Sequence, residues 1–420
     1  MPHQSLRALK PWQIAVSGMV AFAVAMGIGR FAFTPLLPMM LADGVTDLPN
    51  ASWLASANYL GYMVGALLCM IQPWLWRIFG ATRAVDQPAM VRLGLMATVV
   101  LTLSMAIHVP ALWPLMRFAA GVASALVFVY ASLWCLVQLA RRHEPEMGAV
   151  IYAGPGCGIV LSGLAASGML VLHWSAASGW VIFGLLAAGM TGSVWRVFHA
   201  RNETSVAASP QAHWLPVAAA PSPSAMQIGM LATAYGLAGF GYIITATFLP
   251  VIARQQLPGS GWLDLFWPIF GTGVISGALI ASRLRVRMDL RLRLALCYGT
   301  QALAIVTSLV YPSLAGFALG SLLLGLPFTA ISFYGMQEAR RLKPAQATSL
   351  IGLLTALYAL GQVLGPPLVA SLLTRRATVG AAFSLSLEIA AASLLLGALI
   401  YLLLMRIFPA GPPAAPAGRA

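Results

Sequence analysis

The chain has 420 residues, 60% of them hydrophobic and 8% charged, with a mean hydropathy of +0.85. A soluble domain carries about 25% charged residues to wet its surface, so a soluble fold is excluded. The formal net charge of +14 would suit a nucleic-acid or acidic partner, unless the basic residues are laid out by membrane topology.

A helix rises about 1.5 Å per residue and the hydrocarbon core is about 30 Å thick, so apolar runs of 18 residues or more read as membrane spans. In chain order the runs cover 12–41, 52–76, 90–109, 111–139, 148–172, 178–198, 226–253, 262–282, 294–311, 315–337, 347–374 and 380–405. They predict an all-α polytopic membrane protein with twelve transmembrane helices. The opening stretch MPHQSLRALKPW has the charged head of a secretory signal. The apolar run after it is too long for a cleaved segment, so it is read as a retained first helix.

With the N-terminus placed in the cytoplasm, Arg254, Arg375 and Arg376 fall on the outer side and Arg30 and Arg117 fall inside spans. Every other Lys or Arg of the 24 falls on the inner side. Positive-inside bias orients such helices, so the basicity is topological, nucleic-acid binding is not expected, and both termini are placed in the cytoplasm. Cys69, Cys135, Cys157 and Cys297 all lie within spans, with no C-x-x-C pair and no neighbouring His. That pattern fits buried packing rather than zinc or a disulfide. The GIG and GPGCG runs have no preceding strand and no following Lys-Ser/Thr pair. No nucleotide, cofactor or metal is therefore expected.

An internal repeat organises the twelve helices. AMGIGRFAFTPLLPMM (25–40) written over LAGFGYIITATFLPVI (237–252) aligns Gly27 with Gly239, Gly29 with Gly241 and Pro38 with Pro250. The same offset pairs Gly61 and Gly65 with Gly273 and Gly277, and VQLARRHEP matches MQEARRLKP further on. Both ARR stretches lie on one side, so the repeat is parallel: a six-helix half over 1–198, a cytoplasmic linker over 199–225 rich in Ala, Pro and Ser, a second half over 226–406, and a disordered tail over 407–420. Two such halves are the layout of major facilitator transporters, with substrate held near mid-membrane between them.

GIGRFAFTPLLPMM, WLASANYLGYMVGALL and RFAAGVASA resemble the first, second and fourth helices of the YbfB/YjiJ group of the major facilitator superfamily. The resemblance implies a bacterial inner-membrane transporter whose helices one, four, seven and ten line the cavity. Arg117 with Gly121 also resembles the R-x-x-x-G motif of helix four. Two departures stand out. The loop RIFGATRAVDQP keeps only scattered basic residues of the usual G-x-x-x-D-R-x-G-R-R pattern, so no gating role is carried over from it. AGPGCG keeps G-P-x-x-G of the antiporter motif without its flanking glycines, a hint of export by antiport.

Arg30 is the only charged side chain between Pro11 and Ala42, too deep to snorkel, and its repeat position is Tyr242. An intramembrane arginine normally faces a partner or a wet cavity. A cation facing an aromatic hydroxyl suits an amphipathic organic anion; the other reading is that Arg30 bonds backbone carbonyls freed near Pro35. Thr34 shares its helix face, and Arg117 serves either as a brace or as a second ligand. Asn58, Tyr59, Tyr62, Tyr130, Tyr334, Gln337, Tyr358 and Gln362 complete the polar inventory. Of these, Asn58, Tyr62, Tyr130, Tyr334 and Gln362 join Arg30, Thr34, Arg117 and Tyr242 as candidate substrate contacts. Proton coupling would fall to Glu388, within helix twelve, to Asp264 at the outer end of helix eight, or to the substrate's own charge. The expected activity is secondary active transport of a small organic molecule by alternating access, proton-coupled export included, by a monomer in the lipid bilayer. A membrane enzyme or a channel is the alternative, but no H-E-x-x-H, G-x-S-x-G or paired-aspartate motif is present.

Overall fold

The computed structural model describes residues 9–78, 85–199, 223–257, 260, 262–283, 288–343 and 346–409, and only the backbone of 73–77, 145, 347 and 348. Among these residues no strand occurs. Twelve helices are long and apolar enough to cross a membrane: α1 Pro11–Ala42, α2 Leu48–Gln72, α3 Gln87–Ser104, α4 Pro110–Ala140, α5 Gly148–Val171, α6 Ala176–His199, α7 Ala225–Gln256, α8 Leu263–Arg283, α9 Leu290–Val310, α10 Leu314–Leu342, α11 Ser349–Arg375 and α12 Val379–Ile407. An even count puts Pro11 and Ile407 on one face of the bundle, here the terminal face; the other is the distal face. The expected linker falls almost wholly outside the described residues, as do most of the expected tail and Arg7, Arg83, Arg201, Arg285, Arg287 and Arg419.

Short polar side chains start several of these helices. Asp86, Ser224, Asp289, Ser313 and Thr378 each accept a first-turn backbone N–H at the heads of α3, α7, α9, α10 and α12. Such caps satisfy donors that a helix cannot pair internally. The third span ends at Ser104 rather than at 109. Pro110 keeps the helix from running on to 109: it holds Val109 in a non-helical conformation (φ −126°, ψ 77°), as proline does to the residue before it.

The repeat read in the sequence reappears as packing. A Cβ on Gly61 of α2 would lie 1.9 Å from the Phe118 carbonyl oxygen of α4, and one on its counterpart Gly273 of α8 would lie 2.5 Å from the Leu322 carbonyl oxygen of α10. Gly27 meets the Gly158 backbone of α5, while Gly239 meets the Tyr358 backbone of α11. Equivalent glycines therefore bring equivalent helices into backbone contact, as small residues do in membranes. Gly61→Ala is expected to cost about 2–3 kcal/mol, because neither backbone can withdraw. Gly168→Ala, where a Cβ meets nothing within 4 Å, leaves the melting temperature of the detergent-solubilised protein unchanged.

Between the halves α2 packs along α11 and α5 along α8. The first stretch of α1, Pro11–Phe22, packs on α4, α5 and α6 of its own half; its last stretch, Phe33–Ala42, reaches across to α7.

Candidate functional site

The centre of the bundle is organised by an irregularity in α1. Residues Ala23–Ile28 wind as a π-helix, 29–32 form a turn, and the α-helix resumes at Phe33. Pro35 explains the second half of this break. It has no N–H for the Phe31 carbonyl, which instead accepts from the Thr34 N–H at 3.2 Å, so the Arg30 carbonyl loses its usual donor. Arg117 of α4 replaces that donor: its guanidinium reaches the Arg30 carbonyl at 3.1 Å and the Gly29 carbonyl at 3.3 Å. Ser124, two turns further along α4, donates to the Ala25 carbonyl at 2.7 Å. Asn58 of α2 donates to the Arg117 carbonyl at 2.8 Å and so ties the brace to a third helix.

The arginine that bonds the freed carbonyls is thus Arg117, and Arg30 is released for something else. Its side chain is 3% exposed and leaves α1 at the turn. One guanidinium nitrogen donates to the Gln362 side-chain oxygen of α11, and the Gln362 amide in turn donates to the Tyr242 hydroxyl of α7. The guanidinium lies over the Tyr62 ring, 4.1 Å from its centroid, and 5.2 Å from that of Tyr59. Its Nε is buried without a hydrogen-bond partner. Among the described residues no carboxylate is paired with it.

Phe31, Tyr59 and Tyr62 of the first half lie by this cation, and rings of the second half extend the cluster from Phe31. Tyr242 stacks on Tyr358, with centroids 5.8 Å apart, and packs edge-on to Phe328 at 5.2 Å. Phe31 bridges Phe328 at 6.0 Å and Trp267 at 6.1 Å. On the distal side three hydrogen bonds join the halves. Thr34 donates to the Ala246 carbonyl at 3.1 Å, and Ser56 to the Val363 carbonyl at 2.7 Å. Tyr59 donates to Thr247 at 2.9 Å, since the one hydroxyl hydrogen of Thr247 is taken by the Ile243 carbonyl.

Of the residues expected from sequence, Arg30, Tyr62, Tyr242 and Gln362 come together, with Thr34, Asn58 and Arg117 adjoining them. Tyr130 instead faces Gln72, its hydroxyl 3.4 Å from the amide oxygen, and Tyr334 lies beside Arg293. Asp264 pairs with Arg254, and Glu388 is exposed on the outside of α12, neither beside Arg30. Glu338 is buried at the terminal end of α10 and paired with Arg341 at 2.6 Å; it falls just past the end of its apolar run, so the sequence does not mark it as intramembrane. Tyr59 and Tyr358 belong to the cluster; Phe31, Trp267 and Phe328 carried no polar signal to mark them. No group of three His, Cys, Asp or Glu that could hold a metal ion occurs among the described residues.

No curated protein matches the sequence. The structure is similar to the crystal structure of a point mutant of the nucleoside transporter NupG, with a TM-score of 0.71 and 14% identity over 94% of this chain and 99% of that one. At that identity the likeness shows the fold alone. The family described as "Uncharacterised MFS-type transporter YbfB" matches residues 22–402, from the end of the first regular stretch of α1 to the last turns of α12. The chain belongs to that family, and is a transporter of the major facilitator type.

Proposed function

We propose that this transporter carries a small amphipathic organic anion, which binds Arg30 between the halves and crosses a bacterial inner membrane by alternating access. One observation carries the reading: a buried guanidinium with an unpartnered Nε and no carboxylate beside it, at the junction of α1, α2, α7 and α11. An arginine at a helix centre costs about 2.5–3.5 kcal/mol on insertion scales, and a ligand anion supplies the missing counter-charge. The surrounding rings suit an apolar body attached to that charge. The G-P-x-x-G stretch of α5 favours export, with both termini cytoplasmic and the monomer as the working unit.

The carboxylates expected to couple transport to protons stand apart from this centre, so coupling is assigned to the charge of the substrate itself. Asp264→Asn and Glu388→Gln are then expected to leave proton-driven transport within about twofold of wild type in proteoliposomes. Loss of transport in either variant, with the protein still folded, returns coupling to that residue.

The test of the substrate class is flux into proteoliposomes under a concentration jump. Aromatic and aliphatic monocarboxylates, cationic drugs, neutral sugars and nucleosides, the substrates named for the NupG relative, are compared. The proposal expects flux with carboxylates. Flux with cations or nucleosides and none with carboxylates overturns it.

A further inference from the structure

At the centre the guanidinium of Arg30 is held by a side chain of the other half. Gln362 presents its amide oxygen to Arg30 and its amide nitrogen to Tyr242, so a single side chain connects α1 of the first half to α11 and α7 of the second. An amide oxygen is a neutral acceptor, weaker toward a guanidinium than a carboxylate. We propose that Gln362 is a displaceable latch: it stands in for the substrate carboxylate on Arg30 while the carrier is empty, and the substrate releases the halves by taking its place.

Three observations support this. Among the described residues Arg30 is the one hydrogen-bond partner of Gln362 that comes from the first half, so losing that bond severs this link across the halves. The unpartnered Nε gives an arriving carboxylate a free donor before Gln362 has to leave, so exchange can proceed without an unpaired guanidinium. Gln362 keeps its bond to Tyr242 after displacement, so it stays with the second half when the halves part. The bonds of Thr34, Ser56 and Tyr59 lie distal to the latch and involve neutral groups only, individually weaker than a bond to a charged donor.

The inference rests on reading Arg30 as the anion's counter-charge, but its first test needs no anion. Ala246→Cys, at a buried position on α7 where Thr34 crosses from α1, reports opening on the distal side. It is placed in a background whose four native cysteines are alanine, and its reaction with a membrane-impermeant maleimide is timed in right-side-out vesicles. Gln362→Met, which keeps the length and lacks the acceptor, is expected to react about tenfold faster than the Gln362 parent. Gln362→Glu, which puts a carboxylate on Arg30, is expected to react at least fivefold slower. Melting temperatures confirm that both variants are folded. Equal rates for all three overturn the latch, as does a Glu variant that reacts faster than the parent.

Benzoate and phenylacetate are the probes for displacement. Each should speed labelling of the parent and leave the Gln362→Met rate unchanged. Probe binding by thermal shift without faster labelling of the parent overturns displacement and leaves the proposed function standing. The ligand-free rates behaving as expected while no organic anion of any kind binds overturns the proposed function and the displacement step, leaving Gln362 as a tie between the halves only.

Discussion

Arg30→Gln is expected to weaken organic-anion binding about a hundredfold while leaving the melting temperature of the empty protein unchanged or higher. The two halves of this expectation have one cause. Hydrogen bonds to a charged donor contribute about 1.5–3 kcal/mol, and each 1.4 kcal/mol is tenfold in affinity, so losing a carboxylate–guanidinium contact costs one to two decades. Without an anion, however, the guanidinium donates to a neutral amide oxygen, lies over Tyr62 and has a bare Nε, and no carboxylate among the described residues is paired with it. A neutral amide removes an uncompensated charge from the membrane interior and retains a hydrogen bond with Gln362, so folding loses little or gains. A residue kept for structure behaves in the opposite way. Isothermal titration and thermal melting on the same preparation check both parts.

Arg117→Leu supplies that opposite case. Arg117 holds two carbonyls of α1 that the chain itself cannot pair, because Pro35 and the turn at 29–32 have removed their donors. Leucine fills much of the volume but leaves both carbonyls unsatisfied inside the bundle. Each bond to the charged group is worth about 1.5–3 kcal/mol in soluble proteins, whereas membrane hydrogen bonds average about 0.6 kcal/mol by double-mutant cycles. A loss of about 2–4 kcal/mol lies between these scales and is enough to lower the melting temperature by many degrees. Arg117→Lys is expected to fall between wild type and leucine, since one ammonium does not hold two carbonyls in the fixed geometry of a guanidinium fork. The two arginines are thus separable by the sign of their effect on stability, although both are buried and lie within a few ångströms of each other.

The chain displays its topology openly because the bilayer demands it. Twelve apolar runs, biased basic loops and the Gly61/Gly273 and Gly65/Gly277 pairs are each a local consequence of crossing lipid or of packing helix backbones together. The ends were less legible: Val109 is apolar and extends the third run, yet Pro110 removes it from the helix. At the centre the sequence marks Arg30 as unusual without saying what it touches. The division of labour between the two arginines is invisible until the turn at 29–32 is seen, because it depends on which carbonyls Pro35 leaves bare. Gln362 lies 332 positions from Arg30, and no periodicity connects them. Tyr130 and Tyr334 have the same residue type as Tyr242 and similar surroundings in sequence, but lie on turns that take their hydroxyls elsewhere. Phe31, Trp267 and Phe328 look like any apolar residues of a membrane helix until their rings are seen packed together beside Tyr242.

The central claim is that Arg30 is the counter-charge for a transported anion. A thermal-shift screen of the purified transporter against organic anions, cationic drugs, neutral sugars and nucleosides, with Arg30→Gln alongside, tests it most directly, because a ligand of the folded state raises the melting temperature by mass action. Organic anions alone are expected to stabilise the wild-type protein, and the shift is expected to disappear in Arg30→Gln, whose own melting temperature is unchanged or higher. Stabilisation by cations or neutral solutes alone, or anion shifts that survive in Arg30→Gln, would contradict that claim.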